Sequence, residues 1–238
     1  MLYILPNELI ELILNYLDNS SLLDTYNLTN NTIIYRIVDY RLENRTIEHK
    51  DIIKINNRSL VELLLHYNDD YDQLMCYASK YNHKDLVEFF ISKGADDWNY
   101  AMAYAAKYNH KDLVDFFIAK GADDWCLCMD YASKYNHKDL IEFFISKGAD
   151  DWNKSMSYAI INNHKELVEF FISKGANNWN SAMAYAAENN HKDLVDFFIS
   201  KGANDWDLAI NYALVYRHKE LVEYLKKKRD NYYIFEYS

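Results

Sequence analysis

The stretch Asn109-His110-Lys111-Asp112-Leu113-Val114-Asp115-Phe116-Phe117-Ile118-Ala119-Lys120-Gly121-Ala122-Asp123-Asp124-Trp125 decides the reading of this chain. It recurs with small changes every 27 residues. All five glycines (Gly94, Gly121, Gly148, Gly175, Gly202) and all five tryptophans (Trp98, Trp125, Trp152, Trp179, Trp206) keep the register. So do six of the eight histidines: His83, His110, His137, His164, His191 and His218. Self-similarity at such a period marks stacked supersecondary units, each touching only its neighbours, and not a globule closed around one catalytic cleft.

Within the stretch, Leu113, Val114, Phe116, Phe117 and Ile118 cover a broad helical face, and Lys111, Asp112, Asp115 and Lys120 fall elsewhere. This is an amphipathic helix, termed helix B. Gly121 suits the left-handed position just past its end. The polar residue before each tryptophan (Asp97, Asp124, Asp151, Asn178, Asp205) offers an N-cap for the next helix, helix A. Helix A runs from Trp98 through Met102, Tyr104, Ala105 and Ala106 to about Tyr108, and Asn109 then supplies the turn into helix B, since asparagine tolerates positive φ. Two helices this short cannot bury their apolar faces alone, so the units must stack. Ala105 and its equivalents Ala78, Ala132, Ala159, Ala186 and Ala213 let neighbouring helices approach closely.

The unit resembles the ankyrin repeat. Residues 100–106, Tyr-Ala-Met-Ala-Tyr-Ala-Ala, stand where ankyrins carry Thr-Pro-Leu-His-Leu-Ala-Ala, and residues 109–123 match their Gly-His-Leu-Glu-Val-Val-Lys-Leu-Leu-Leu-Glu-Ala-Gly-Ala-Asp. The Thr-Pro-x-His network is missing, and the unit is shorter than the ankyrin period of about 33 residues by the length of the β-hairpin finger. The resemblance therefore implies an all-α, ankyrin-like helical-repeat solenoid of 27-residue helix-turn-helix units with shortened or absent β-hairpins, and a protein-binding role.

Three segments are expected: 1–45, an F-box-like helical segment; 46–229, the repeat array; and 230–238, a C-terminal tail. The array decays at both ends, with Tyr67 and Tyr71 in the glycine and tryptophan registers near its start, and Lys226 and Arg229 replacing Ile199 and Gly202 at its end. Lys226-Lys227-Lys228-Arg229 reads as a solvated last turn interacting with the helix dipole. The aromatic tail is placed to fold back over the final pair.

In the first segment, Pro6 at a helix start and Leu9, Leu12, Ile13, Tyr16 and Leu17 at helical spacing describe a helical hairpin. Its Leu5-Pro6-x-Glu8 opening and Asp18-x-x-Ser21-Leu22-Leu23 end look like an F-box. That resemblance implies docking of Leu5, Pro6, Ile10, Ile13, Leu17, Leu22 and Leu23, directly or as supporting core, onto a Skp-type adaptor of a cullin ubiquitin ligase. The family's tryptophan in the third helix is absent; Ile33, Ile34, Tyr35, Ile37 and Val38 stand there. The competing reading is an ordinary cap on the solenoid. The pairing of an F-box-like segment with ankyrin-like repeats, and the 25 asparagines, resemble the ankyrin proteins of giant DNA viruses of amoebae.

Composition narrows the function classes. The formal net charge is −10, with Lys and Arg interleaved among Asp and Glu, which argues against nucleic acid as partner. No apolar run reaches the roughly 20 residues of a membrane span, and the start lacks a secretory pattern, so a cytoplasmic protein is expected, in the host cytoplasm if viral, and a monomer. Cys76, Cys126 and Cys128 form no metal or disulfide framework. Equivalent histidines on adjacent repeats should lie about 8–10 Å apart, too far to share a zinc whose ligands sit at about 2 Å, so each is expected to stabilise its own A-to-B turn. The tryptophans are expected to pack the junction between repeats, not to stack bases. No phosphate loop, nucleophile set or carboxylate pair is present: no enzyme, cofactor or metal is expected.

The exposed positions of helix B barely vary, with lysine at 111 and its equivalents from Lys84 onward, and acidic residues at 112 and 115. Helix A varies at three registers, those of 100, 103 and 107. The partner-binding candidates are Tyr100, Ala103, Lys107, Leu127, Asp130, Lys134, Lys154, Ser157, Ile161, Ser181 and Glu188. Packing that repeats needs residues that repeat, so the non-repeating face is where a particular partner could be read. Drift after duplication is the other reading of this variation.

Overall fold

A computed structural model describes residues 38–39, 41–43 and 47–236. The F-box-like positions Leu5, Pro6, Ile10, Ile13, Leu17, Leu22 and Leu23 lie outside them. From residue 49 the chain is a succession of helices: α1 (His49–Ile55), α2 (Arg58–Leu64), α3 (Tyr71–Lys80), α4 (Lys84–Lys93), α5 (Trp98–Lys107), α6 (Lys111–Lys120) and α7 (Trp125–Lys134). They are followed by α8 (Lys138–Ser146), α9 (Trp152–Ile161), α10 (Lys165–Lys174), α11 (Trp179–Glu188), α12 (Lys192–Ser200), α13 (Trp206–Val215) and α14 (Lys219–Glu236). Among the described residues there is no strand. This is the all-α helical-repeat architecture of the solenoid class, with odd-numbered helices from α3 onward as helices A and even-numbered ones as helices B.

Local chemistry sets each boundary. The N-cap carboxylate or amide accepts from the backbone three residues on: Asp124 from Leu127 at 2.9 Å, Asp151 from Lys154 at 3.2 Å, Asp205 from Leu208 at 3.1 Å. That satisfies one of the N–H groups a helix start leaves open. Every A-to-B turn passes through a left-handed asparagine, Asn82, Asn109, Asn136, Asn163 and Asn190 at φ 57° to 61°, until Arg217 takes the last at 64°. Helix α10 ends at Gly175, φ 115°, and the next amide, of Ala176, turns back to the Phe171 carbonyl at 3.0 Å. The Gly-Ala pair thus closes the helix, and Ala176 is buried where the chain turns.

The chain divides into two compact units, one containing the residues up to Ala105 with Asp112–Ala122, the other Ala106–Lys111 with Asp123 onward. In the first, Ile52, Ile53, Leu60, Leu64, Phe90 and Phe117 form a core closed to solvent. In the second, consecutive helices pair as hairpins, and helices A stack on one another from α7 to α9 to α11 to α13. Its core holds Phe144, Phe171 and Phe198, one per helix B, and Ala132, Ala159, Ala186 and Ala213, one per helix A, all at 0% exposure. The alanines allow the close approach anticipated for them.

The C-terminus departs from expectation. Residues 230–236 are no separate tail but continue α14 to 18 residues, because Arg229 replaces the helix-ending glycine. Lys226 to Arg229 are therefore mid-helix, and three of the four are held by ion pairs: Lys226 by Glu223 at 2.9 Å, Lys228 by Asp196 at 3.5 Å, Arg229 by Asp207 at 2.9 Å. The extension lays Tyr232 against Trp206, ring centres 5.7 Å apart, and Trp206 is buried.

Candidate protein-interaction face

The recurring side chains are taken up in holding the repeats together. Each recurrent histidine described below reaches back to the repeat before it: Nε2 of His137 to the Lys107 carbonyl at 2.9 Å, His164 to Lys134 at 3.0 Å, His191 to Ile161 at 3.0 Å, His218 to Glu188 at 2.8 Å. The expectation that each histidine stabilises its own turn is met by the backbone, His137 N donating to the Ala132 carbonyl at 3.1 Å, and by the ring, which stacks on Tyr135 at 6.2 Å; the ring's hydrogen bond adds a tie to the repeat before.

A second tie was missed in the sequence. One residue after the tryptophan, Asn153 Oδ1 accepts from Asn177 N at 2.9 Å and Asn178 N at 3.0 Å, and Asn180 Oδ1 accepts from Asn204 N at 2.8 Å and Asp205 N at 3.0 Å. In the first unit Asp72 does the same for Asp96 and Asp97. The signal was there, a short polar residue recurring at one register, and Cys126 is its exception in the second unit.

The constant surface of helix B has the same explanation. Lys111 pairs with Asp139 at 3.0 Å and Lys165 with Asp193 at 2.8 Å, while Lys138 lies 5.7 Å from the Phe170 ring centre and Lys192 4.0 Å from that of Tyr224. Each contact joins one repeat to the next. Two tryptophans stack within their own helix pair, Trp125 on Phe144 at 6.5 Å and Trp179 on Phe198 at 6.4 Å.

The varying helix A positions divide. In the first unit Tyr100 is exposed and Ala103 buried. In the second unit Lys154 is exposed, and Lys107, Leu127, Lys134, Ser157, Ile161, Ser181 and Glu188 are half-exposed. Asp130 is fully buried. Ala103 and Asp130 are therefore withdrawn from the recognition face, because both side chains are buried in their helix packing, although Ser157 at the same register stays half-exposed. Asp130 instead anchors a polar junction: Ser155 Oγ donates to its Oδ1 at 2.6 Å, and Lys154 Nζ lies 2.7 Å from Oδ2. Burial pushes the Asp130 carboxyl above its ordinary value, outweighing Lys154 and Ser155, which pull it down. Cys76 and Cys128 are also buried, and burial raises both thiols, Cys76 to about 12.

Aromatic residues flank the exposed positions. Tyr131, Tyr158, Tyr185 and Tyr212 recur, half-buried, along the helices A of the second unit. The Lys107 ammonium sits 5.1 Å, 6.0 Å and 5.6 Å from the ring centres of Tyr108, Tyr131 and Tyr135. Aromatic rings of this kind are enriched at the centres of protein interfaces.

A family model described as ankyrin repeats (3 copies) matches residues 49–127, 74–155, 102–181 and 156–234. These matches span most of the chain, which belongs to the ankyrin-repeat family and carries the protein-interaction scaffold of that family. No curated protein shows significant similarity to it. Among the described residues no helix is long and apolar enough to cross a membrane.

Proposed function

We propose that this chain recruits a protein target through the exposed helix A positions, Tyr100 in the first unit and Lys107, Leu127, Lys134, Lys154, Ser157, Ile161, Ser181 and Glu188 in the second, and presents it through residues 1–45 to a Skp-type adaptor of a ubiquitin ligase. One observation carries the first half. Recurring surface residues are engaged between repeats, as in the 3.0 Å pair of Lys111 with Asp139, whereas most of the helix A residues that differ from repeat to repeat, Ala103 and Asp130 excepted, are exposed or half-exposed. A partner is distinguished only by features that differ along the array. The second half rests on the F-box-like pattern from Leu5 to Leu23.

The test is affinity capture from amoebal cytosol, the choice that fits a giant-virus origin, with the full chain and with a chain beginning at residue 46. Recovery of a Skp adaptor and cullin by the full chain alone supports the adaptor role. Recovery of the same target by both, without the ligase components, assigns the chain to binding alone, with the N-terminal segment as cap.

A further inference from the structure

Along each helix pair of the second unit a fixed set of registers looks toward the repeat that follows. On helix A they are the register of Asn153, which holds the next loop, and that of Asp130, which takes Ser155 and Lys154. One turn beyond Asp130 comes the register of Ser133, Ile160 and Ala187, all closed to solvent. On helix B they are the register of Lys165, which pairs with Asp193 at 2.8 Å, and that of Asp196, which accepts from the Tyr224 hydroxyl and lies 3.5 Å from Lys228. In the last pair, α13 and α14, the same registers hold Asp207, Asn211, Leu214, Lys219 and Glu223.

The array ends at this pair because Arg229 stands in the glycine register and α14 runs on as helix. The extension closes one part of the end face. Arg229 takes Asp207 at 2.9 Å, where a following repeat would offer its loop amides, and Tyr232 lies against the buried Trp206. Beyond that, α13 is bare. Leu214 is 52% exposed where its equivalents are closed to solvent, and Val215 beside it is 74% exposed where Lys134, Ile161 and Glu188 are half-exposed. The outer face of a terminal repeat is ordinarily polar, as water requires. This one keeps the apolar character of an internal junction.

Within the molecule, what covers this face is another helix pair of the same chain: α9 lies on α7, α11 on α9 and α13 on α11. A second copy cannot offer the side of α13 that α11 already covers. It can offer the same end face, and that face is complementary to itself. Leu214 and Val215 give it an apolar part, and Lys219 and Glu223, one turn apart on α14, give it one charge of each sign. About a two-fold axis the apolar residues meet their counterparts, and Lys219 of each copy faces Glu223 of the other. Removal of the apolar surface from water supplies the affinity, while exposed ion pairs contribute little energy and fix the register.

We propose that the chain forms a two-fold dimer through this end face, in place of the monomer expected from its sequence.

Sedimentation velocity on the full chain from about 1 to about 100 μM, the range of weak reversible association, is the test. Wild type should pass from the mass of one chain to that of two. Leu214→Ser and Val215→Lys install the residue types of Ser133 and Lys134 at the same registers, so helix A accommodates them; far-UV circular dichroism and the melting curve check this. Each should weaken the dimer at least about tenfold. Lys219→Glu alone and Glu223→Lys alone should also weaken it, and the two together should restore it, since each pair is then remade with its signs exchanged. A wild type that keeps the mass of one chain throughout would overturn the dimer. A dimer indifferent to Leu214→Ser and Val215→Lys would place the contact elsewhere and overturn the end face. A double reversal no better than the single ones would overturn the two-fold pairing, as would masses that keep growing with concentration, the mark of a head-to-tail filament.

Discussion

The ring nitrogen Nε2 of His137 lies 2.9 Å from the carbonyl oxygen of Lys107, the last residue of α5. A carbonyl only accepts, so Nε2 carries the proton. The carbonyl is among those a helix end leaves without an intrahelical partner. Because the acceptor is backbone, the side chain at that register is free to be Lys107, Lys134, Ile161 or Glu188 while the histidine stays constant. Removing one such tie, as in His164→Ala, should cost about 1 kcal/mol, read as a lower urea midpoint, and should leave target binding unchanged.

Burial holds His137 below its ordinary value of 6.5, with the charges of His110 and His164 acting in the same direction and the Lys107 bond opposing them. A lowered folded-state value means that the neutral ring is favoured by folding. Its contribution is present above the unfolded value and is lost as pH falls through the folded one. The ring still donates when protonated, so the bond persists and only the cost of the buried charge grows. Proton NMR should find His137 titrating below 6.5, and His137→Ala should flatten the loss of stability between neutral pH and pH about 5.

The Asp130 to Lys154 pair should respond asymmetrically to truncation. Lys154 is half open to water and can be released to it, whereas Asp130 is at 0% exposure and cannot. Lys154→Met should therefore cost about 3 kcal/mol near neutral pH, as for a buried charge left unpaired, and Asp130→Ala far less. The folded-state value of Asp130 is raised, so its favourable contribution is present below the ordinary 3.8 and is lost as pH rises through the folded value. Melting curves should show wild type gaining on Asp130→Ala as the pH is lowered.

Cys126 breaks the row of short polar residues that hold the following loop; its Sγ lies 3.9 Å from Asp150 Oδ1, and no side-chain oxygen stands at its register to accept from the Asp150 and Asp151 amides. Cys126→Asn should install the tie that Asn153 makes one repeat later, and stabilise the array by about 1 kcal/mol. A melting temperature equal to or below wild type would show that the register alone does not make the bond.

Backbone conformation can be tested apart from packing at Gly148. Its φ is 111°, and a Cβ placed there meets nothing within 4 Å. Gly148→Ala and Gly148→Val should both destabilise by about 1 kcal/mol or more, through strain alone. At Arg217, φ 64°, the change should run the other way: Arg217→Asn restores the residue of the preceding turns and should raise the melting temperature.

The repeat, the helix pairs, the N-caps before each tryptophan and the left-handed glycines and asparagines were all legible in the amino-acid order. Each depends on conformational preferences within a few residues, and recurrence every 27 residues states them several times over. The tertiary structure alone decided which side of helix A a neighbour covers. It buried Ala103 and Asp130, carried the histidine rings back one repeat, stacked Trp125 and Trp179 within their own helix pairs and left Leu214 bare at the end of α13. Those outcomes depend on how one helix lies against another about 8–10 Å away. No spacing within a single unit contains that rotation.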